Sequence, residues 1–229
     1  MNFYYLCVKQ TQRMIRACIF DLDGVIVDTA KFHFIAWKAM ANNVGVEFTE
    51  NDNEQLKGVG RMESLEFILD LGDVSKSQEE KEKLANEKNE HYKKLISNIS
   101  QEEILPGVLF FLDELKSKGI KIALGSASKN ARTILTALSI TNYFDVIIDG
   151  TNTTRSKPDP QVFTLGAEAL GIQPKEIVVF EDAVKGVEAA KAGDFYAIGV
   201  GDSEVLSQAD AVISGFEDFS FQQLNNLLN

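Results

Sequence analysis

A rhythm that runs from residue 106 to the end constrains this chain more than any other feature. The short apolar runs "IKIALGS", "FDVIID", "EIVVFED", "FYAIGVG" and "DAVI" alternate with helix-patterned segments of 10 to 13 residues. The runs are continuously apolar, which marks strands buried on both faces. An earlier run, "IRACIF" at 15–20, belongs to the same series. Strand–helix alternation of this kind predicts an α/β fold, a doubly wound parallel (Rossmann-like) sheet with right-handed crossovers.

The rhythm is interrupted once. Between residues 30 and 100 the pattern is helical throughout and contributes no strand. "AKFHFIAWKAMANNVG" reads as a helix that Asp28 or Thr29 can cap and Gly45 stops. "TENDNEQLKGVGRMESLEFILDLG" holds two short helices around a glycine-rich turn, and "SQEEKEKLANEKNEHYKKLISNI" a longer one whose charges read as a solvated face. The block is an inserted helical cap domain, 30–100, hinged near Asp28 and at 100–106 on a core of 14–29 and 101–229. Met14 opens "MIRACIFDLDG" in the manner of a start, so residues 1–13 are read as an N-terminal extension.

A net charge of −11 argues against nucleic acid or an anionic membrane as partner, since both need a basic face. Anionic small molecules remain open to it, because a few cations in one cleft outweigh an average. Two cysteines, Cys7 and Cys18, make no disulfide framework or metal spacing, and no apolar run approaches the ~20 residues of a membrane span. The opening residues lack a basic leader and cleavage site. The expectation is a cytoplasmic protein, a monomer on its acidic surface.

Ligands of open parallel sheets bind beyond the carboxyl ends of the strands. Four such ends carry polar groups: Asp21 and Asp23; Ser126, Ala127 and Ser128; Lys157 in "SKPDP"; and Glu181 with Asp182. Each alone reads as a helix cap or a loop residue, and Ser128 fits a cap for the helix from Lys129 onward. All four in order on one sheet do not. Acids at two strand ends repel unless a cation lies between them, and an all-oxygen site suits Mg²⁺. With a hydroxyl and a lysine added, the site suits a phosphoryl group. Asp21 then reads as a carboxylate nucleophile and Asp23 as general acid and base.

Together "FDLDGVIVDT", "SAS", "SKPDP" and "FED" resemble the haloacid dehalogenase-like superfamily of phosphotransferases, from about residue 14 to the end. Within it, "DTAKFHFIAWKAMA", "NEQLKGVGR", "IKIALGSASKN" and "YFDVIIDG" resemble the β-phosphoglucomutase family. The resemblance implies an Mg²⁺-dependent isomerase that interconverts β-D-glucose 1-phosphate and glucose 6-phosphate through glucose 1,6-bisphosphate. It implies a phosphorylated Asp21, with Mg²⁺ held by Asp21, the Asp23 carbonyl, Glu181 and Asp182. Ser126, Ala127 and Lys157 would stabilise the transferring phosphoryl. Arg61 would hold the other phosphate, with Leu56, Lys57, Gly58 and Val59 near the sugar and Ser128, Lys129 and Asn130 at the same end. Thr29 would lie at the hinge, with His33 and Trp37 facing the cleft. The residues themselves support Arg61, since a glycine-flanked arginine in a tight turn presents a planar fork to phosphate. His33, on a helix rich in aromatics, reads as a packed residue. The chain departs from its relatives at Gly60, often serine, at Gly125, often alanine, and in "TNTTRSK", where Arg155 has no role. The rivals are an Mg²⁺-dependent sugar-phosphate phosphatase of the same superfamily and a non-catalytic binding module. The intact Asp21, Asp23 and Lys157 disfavour the second.

Overall fold

The computed structural model describes residues 14–228, so the N-terminal extension and Cys7 lie outside the described residues. Six strands form one parallel sheet: β1 Ala17–Phe20, β2 Lys121–Gly125, β3 Val146–Ile148, β4 Ile177–Glu181, β5 Tyr196–Val200 and β6 Ala211–Ile213. Their spatial order is β3-β2-β1-β4-β5-β6. The chain runs outward from β1 to β3, then returns to β4 on the other side of β1. That reversal is the point where doubly wound sheets bind ligands. Register sets Phe20 of β1 opposite Leu124 of β2 and Phe180 of β4. The strand-end residues that follow therefore emerge side by side.

Alternation along the fully buried β1 explains both layers. Cys18 and Phe20 point into one apolar cluster, with Phe111, Phe180, Ile198 and Phe216. The rings of Phe20 and Phe180 stack there at 4.8 Å. Ala17 and Ile19 point into the other, with Phe163, Val179 and Val187. Burial of Cys18 raises its thiol pKa, keeping it an inert core residue.

The cap block holds α1 Ala30–Asn43, α2 Glu50–Glu54, α3 Arg61–Leu71 and α4 Gln78–Ile96. It has its own apolar cluster, including Trp37, Met40, Phe48, Leu56, Leu65 and Ile68. Two chain passages join it to the core, and they run together: Asp28 N donates to Glu103 O at 2.9 Å and Leu105 N to Ile26 O at 3.0 Å. Lys31 pairs with Glu103 beside them. The remaining helices are α5 Val108–Ser117, α6 Ala131–Ala137, α7 Gln161–Leu170, α8 Val184–Ala192 and α9 Phe221–Leu227.

Three local expectations are corrected. Thr29 occupies the N-cap position of α1 but makes no cap hydrogen bond, because its hydroxyl goes elsewhere. Helix α6 starts two residues later than the sequence suggests, with Asn130 as N-cap. Ser128 instead closes a turn before it, its Oγ accepting from Asn130 N at 3.2 Å. The first strand begins at Ala17 rather than at residue 15.

Candidate active site

Asp21 continues the β1 ladder, its N–H donating to Phe180 O at 3.0 Å. The chain then turns back on itself: Ile26 and Val27 both donate to Leu22 O, and Gly24 adopts φ +76°. Only glycine takes that conformation without penalty. A Cβ on Gly24 would also stand 2.1 Å from Asp182 Oδ2. The Asp21–Gly24 turn and Asp182 are thus packed directly together.

Lys157 is buried among these acids. Its Nζ lies 2.6 Å from Asp21 Oδ1 and also donates to Glu181 Oε1. Burial would lower its pKa, but Asp21 and Glu181 overcome that and hold it above the ordinary lysine value. Glu181 is fully buried, and its other oxygen accepts from Ala183 N at 2.9 Å. Gly186 of α8 makes room for it, since a Cβ there would overlap the carboxylate at 1.9 Å. Burial raises the pKa of Glu181, and Asp21 adds to the effect. Asp182 is raised well above the carboxylate range by burial and then by Glu181 and Asp21.

Asp23 sits beside this group, and the hydroxyl of Thr29 donates to its Oδ1. Burial and then Asp21 push its pKa up to about 6 against the pull of that hydrogen bond. A carboxyl near 6 both gives and takes a proton close to neutral pH. Ser126 is buried at the end of β2, its Oγ accepting from Ser128 N at 3.1 Å.

Among the described residues no three acids, histidines or cysteines converge into a ready-made metal cluster. Lys157 bridges Asp21 and Glu181 instead. The donor set nevertheless fits Mg²⁺: three carboxylates on adjacent strand ends, all oxygen, two of them driven toward protonation by burial and then by their crowded neighbours. A divalent cation relieves that crowding.

The cap closes over this point. Gly58, at φ +69°, approaches Ala183, where a Cβ would come within 3.2 Å. A Cβ on Gly60 would stand 2.7 Å from Ser156 Oγ, beside Lys157. Lys57 reaches toward Asp182 at 3.9 Å and pairs with Glu54 at 2.8 Å. A cleft of about 1170 Å³ opens from Gly24, Lys57 and Asp182 toward Asp202 and Glu217.

Arg61 of the cap and Asn130 of the core meet at a second point. Arg61 Nη2 and Asn130 Nδ2 both donate to Asn89 Oδ1, at 2.8 and 3.0 Å. Trp37 and Leu56 are buried in the cap cluster. His33 packs inside the cap: its ring lies 4.1 Å from that of Tyr92, and its Nδ1 3.0 Å from Lys88 Nζ. Burial, then Lys88 and Arg61, hold its pKa well below 6.5, so the ring is neutral. Ala127 is half-buried and Lys129 exposed, while Arg155 pairs with Asp159 at the surface.

Lys88, Asn89 and Tyr92 are absent from the sequence-based set. Lys88 is buried, with its amine 4.2 Å from the Trp37 ring centroid and 4.9 Å from that of Tyr92. The signal was present, because Ala85, Lys88, Tyr92 and Ile96 form one stripe at helical spacing. A lysine inside an otherwise apolar stripe marks a polar target.

The haloacid dehalogenase-like hydrolase family model matches residues 15–194. The chain is 41% identical to a β-phosphoglucomutase of Bacillus subtilis over 92% of its own length and 94% of the relative's. It is 34% identical to a phosphorylated carbohydrates phosphatase of Thermotoga maritima, over 86% and 93% of the two chains. The crystal structure of a β-phosphoglucomutase from Clostridium difficile superposes with a TM-score of 0.91, at 42% identity, covering 94% of this chain and 98% of that one.

Proposed function

The chain belongs to the haloacid dehalogenase-like hydrolase family, and on that premise we propose that it is a β-phosphoglucomutase. It interconverts β-D-glucose 1-phosphate and glucose 6-phosphate by way of an aspartyl-phosphate enzyme and glucose 1,6-bisphosphate. The observation that carries this reading over simple hydrolysis is the pair of anion anchors. Lys157 lies beside Asp21 in the core, and Arg61 of the cap converges with Asn130 of the core at a second point. A bisphosphate that must present either end to one nucleophile needs both. The likeness to the Bacillus subtilis and Clostridium difficile enzymes supports the same substrate pair.

In this mechanism residues 14–29 and 101–229 are the catalytic core and 30–100 the cap. Asp21 Oδ attacks the phosphorus, and the bond to the sugar oxygen breaks. Asp23 gives that oxygen a proton, and in the reverse transfer takes one from the attacking hydroxyl. Thr29 fixes the carboxyl that does so. Lys157 and Ser126, with the backbone at Ala127, hold the oxygens of the moving group. Arg61, Ser128, Lys129 and Asn130 hold the phosphate that stays. Leu56, Lys57, Gly58 and Val59 form the cap loop over the sugar, with His33 and Trp37 behind it. Mg²⁺ would be held by Asp21, the Asp23 carbonyl, Glu181 and Asp182, and supplies charge that neutralises the phosphoryl oxygens when bound. Closure at Gly58 and Gly60 keeps water from the aspartyl phosphate. The enzyme acts as a cytoplasmic monomer on free sugar phosphates. No described helix is long and apolar enough to cross a membrane.

Arg61→Ala tests this directly. Asp21 should still acquire a hydroxylamine-labile phosphoryl group from acetyl phosphate, a donor with no second phosphate to anchor, while turnover of β-D-glucose 1-phosphate to glucose 6-phosphate is lost. Unchanged glucose 6-phosphate formation refutes the two-anchor reading.

A further inference from the structure

Asn89 lies on α4 of the cap, and its single carbonyl oxygen accepts from both the cap and the core. Arg61 Nη2 reaches it from the first turn of α3 at 2.8 Å. Asn130 Nδ2 reaches it from the core, just before α6, at 3.0 Å. Asn130 is 8% exposed and Arg61 half-buried, so neither donor is free to wander in solvent.

The chemistry of the acceptor is informative. Asn89 is neutral, so it fixes the guanidinium without cancelling its charge. Arg61 keeps its other N–H donors for an anion, and Asn130 keeps its second amide proton. A carboxylate at residue 89 would accept in the same geometry but would pair with Arg61 as a counter-ion, competing with any phosphate. A shorter apolar side chain would leave the two donors unjoined and the cap untied from the core at this end.

We propose that Asn89 is a positioning residue that latches the cap to the core through Arg61 and Asn130, holding their remaining donors ready for the phosphate that is not being transferred. The inference rests on the mutase reading for the identity of that anion. The latch itself rests on the hydrogen bonds alone.

Two variants, Asn89→Ala and Asn89→Asp, separate the latch from the charge. Small-angle scattering of the substrate-free protein reads cap closure, and steady-state kinetics with β-D-glucose 1-phosphate read KM and kcat. Asn89→Ala should expand the substrate-free molecule and raise KM about tenfold, the scale of losing one hydrogen bond to a charged group, with kcat within about twofold. Asn89→Asp should stay as compact as the wild type yet raise KM at least as far. Unchanged scattering and KM in Asn89→Ala overturn the proposal. So does a fall in thermal stability and kcat with KM unmoved, the pattern of a purely structural residue. If Asn89→Ala does not fold, Asn89→Asp decides, and an unchanged KM in that variant overturns the proposal. A wild type that forms no glucose 6-phosphate sinks the functional reading instead, and scattering then tests the latch without turnover.

Discussion

Lys88 provides a perturbation whose size and sign follow from the structure. Its amine is buried in the cap, against the rings of Trp37 and Tyr92 and Nδ1 of His33. Burial and then repulsion from Arg61 lower its pKa from 10.5 to about 7, against an opposing pull from Asp23. Between those two values the unfolded chain carries a proton on Lys88 that the folded chain lacks. Stability therefore rises with pH across that window. Below pH 7 both states are charged, and the folded state bears the full penalty. Integrating the linkage from pH 7 to 9.5 gives a gain of about 3 kcal/mol from this one group. In Lys88→Met an apolar chain of similar length replaces the amine, and that component of the slope disappears. The raised carboxyl groups of Glu181 and Asp182 are present in both proteins and cancel in the comparison, while Asp23, whose pKa Lys88 helps to hold down, titrates at about 6 in the wild type, below the window. His33 titrates below the window. The assay is urea unfolding of both proteins at intervals from pH 7 to 9.5. The wild type should gain stability relative to Lys88→Met by up to about 3 kcal/mol as pH rises. Parallel profiles would show that the buried amine keeps an ordinary pKa and refute the reasoning.

Two further outcomes follow from the same geometry. Lys157→Met leaves Asp21 and Glu181 facing each other with no cation between them, a loss on the order of 3–5 kcal/mol for a broken buried network. In chelator its melting temperature should fall well below the wild type's, and added Mg²⁺ should restore more in the variant than in the wild type. Equal melting in chelator would contradict this. Gly60→Val places a branched side chain where Ser156 Oγ stands 2.7 Å from the first added carbon. The cap then seats poorly, so the share of phosphate released as inorganic phosphate should rise. An unchanged share would mean that this contact does not govern closure.

The strands and the strand-end residues were legible because each apolar run carries its own stop. Asp21, Ser126 and Glu181 lie at three such stops, and Lys157 reaches them from the loop between β3, which ends at Ile148, and α7, in a sheet ordered 3-2-1-4-5-6 around β1. The inward side of α4 was legible only as the faint stripe of Ala85, Lys88, Tyr92 and Ile96. Its sequence is dense in charge, and Lys88 and Asn89 look like more of the same solvated face until the fold turns them toward His33 and Arg61. Thr29 was misjudged as a cap for a related reason. A hydroxyl at a helix start serves the helix by default, and only the return of the chain through Gly24 puts a better acceptor, Asp23, within its reach. Helix α6 illustrates a third limit, since "SASKN" can cap a helix at Ser128 or at Asn130, and the hydrogen bonds within the turn decide between them.

The central claim is that the phosphoryl group on Asp21 passes to sugar and not to water. The purified protein, incubated with Mg²⁺, β-D-glucose 1-phosphate and a trace of glucose 1,6-bisphosphate, reports on it when glucose 6-phosphate and inorganic phosphate are followed in the same sample. Glucose 6-phosphate accumulating with little free phosphate is the predicted result. Free phosphate as the main product would contradict the account and make the protein a sugar-phosphate phosphatase.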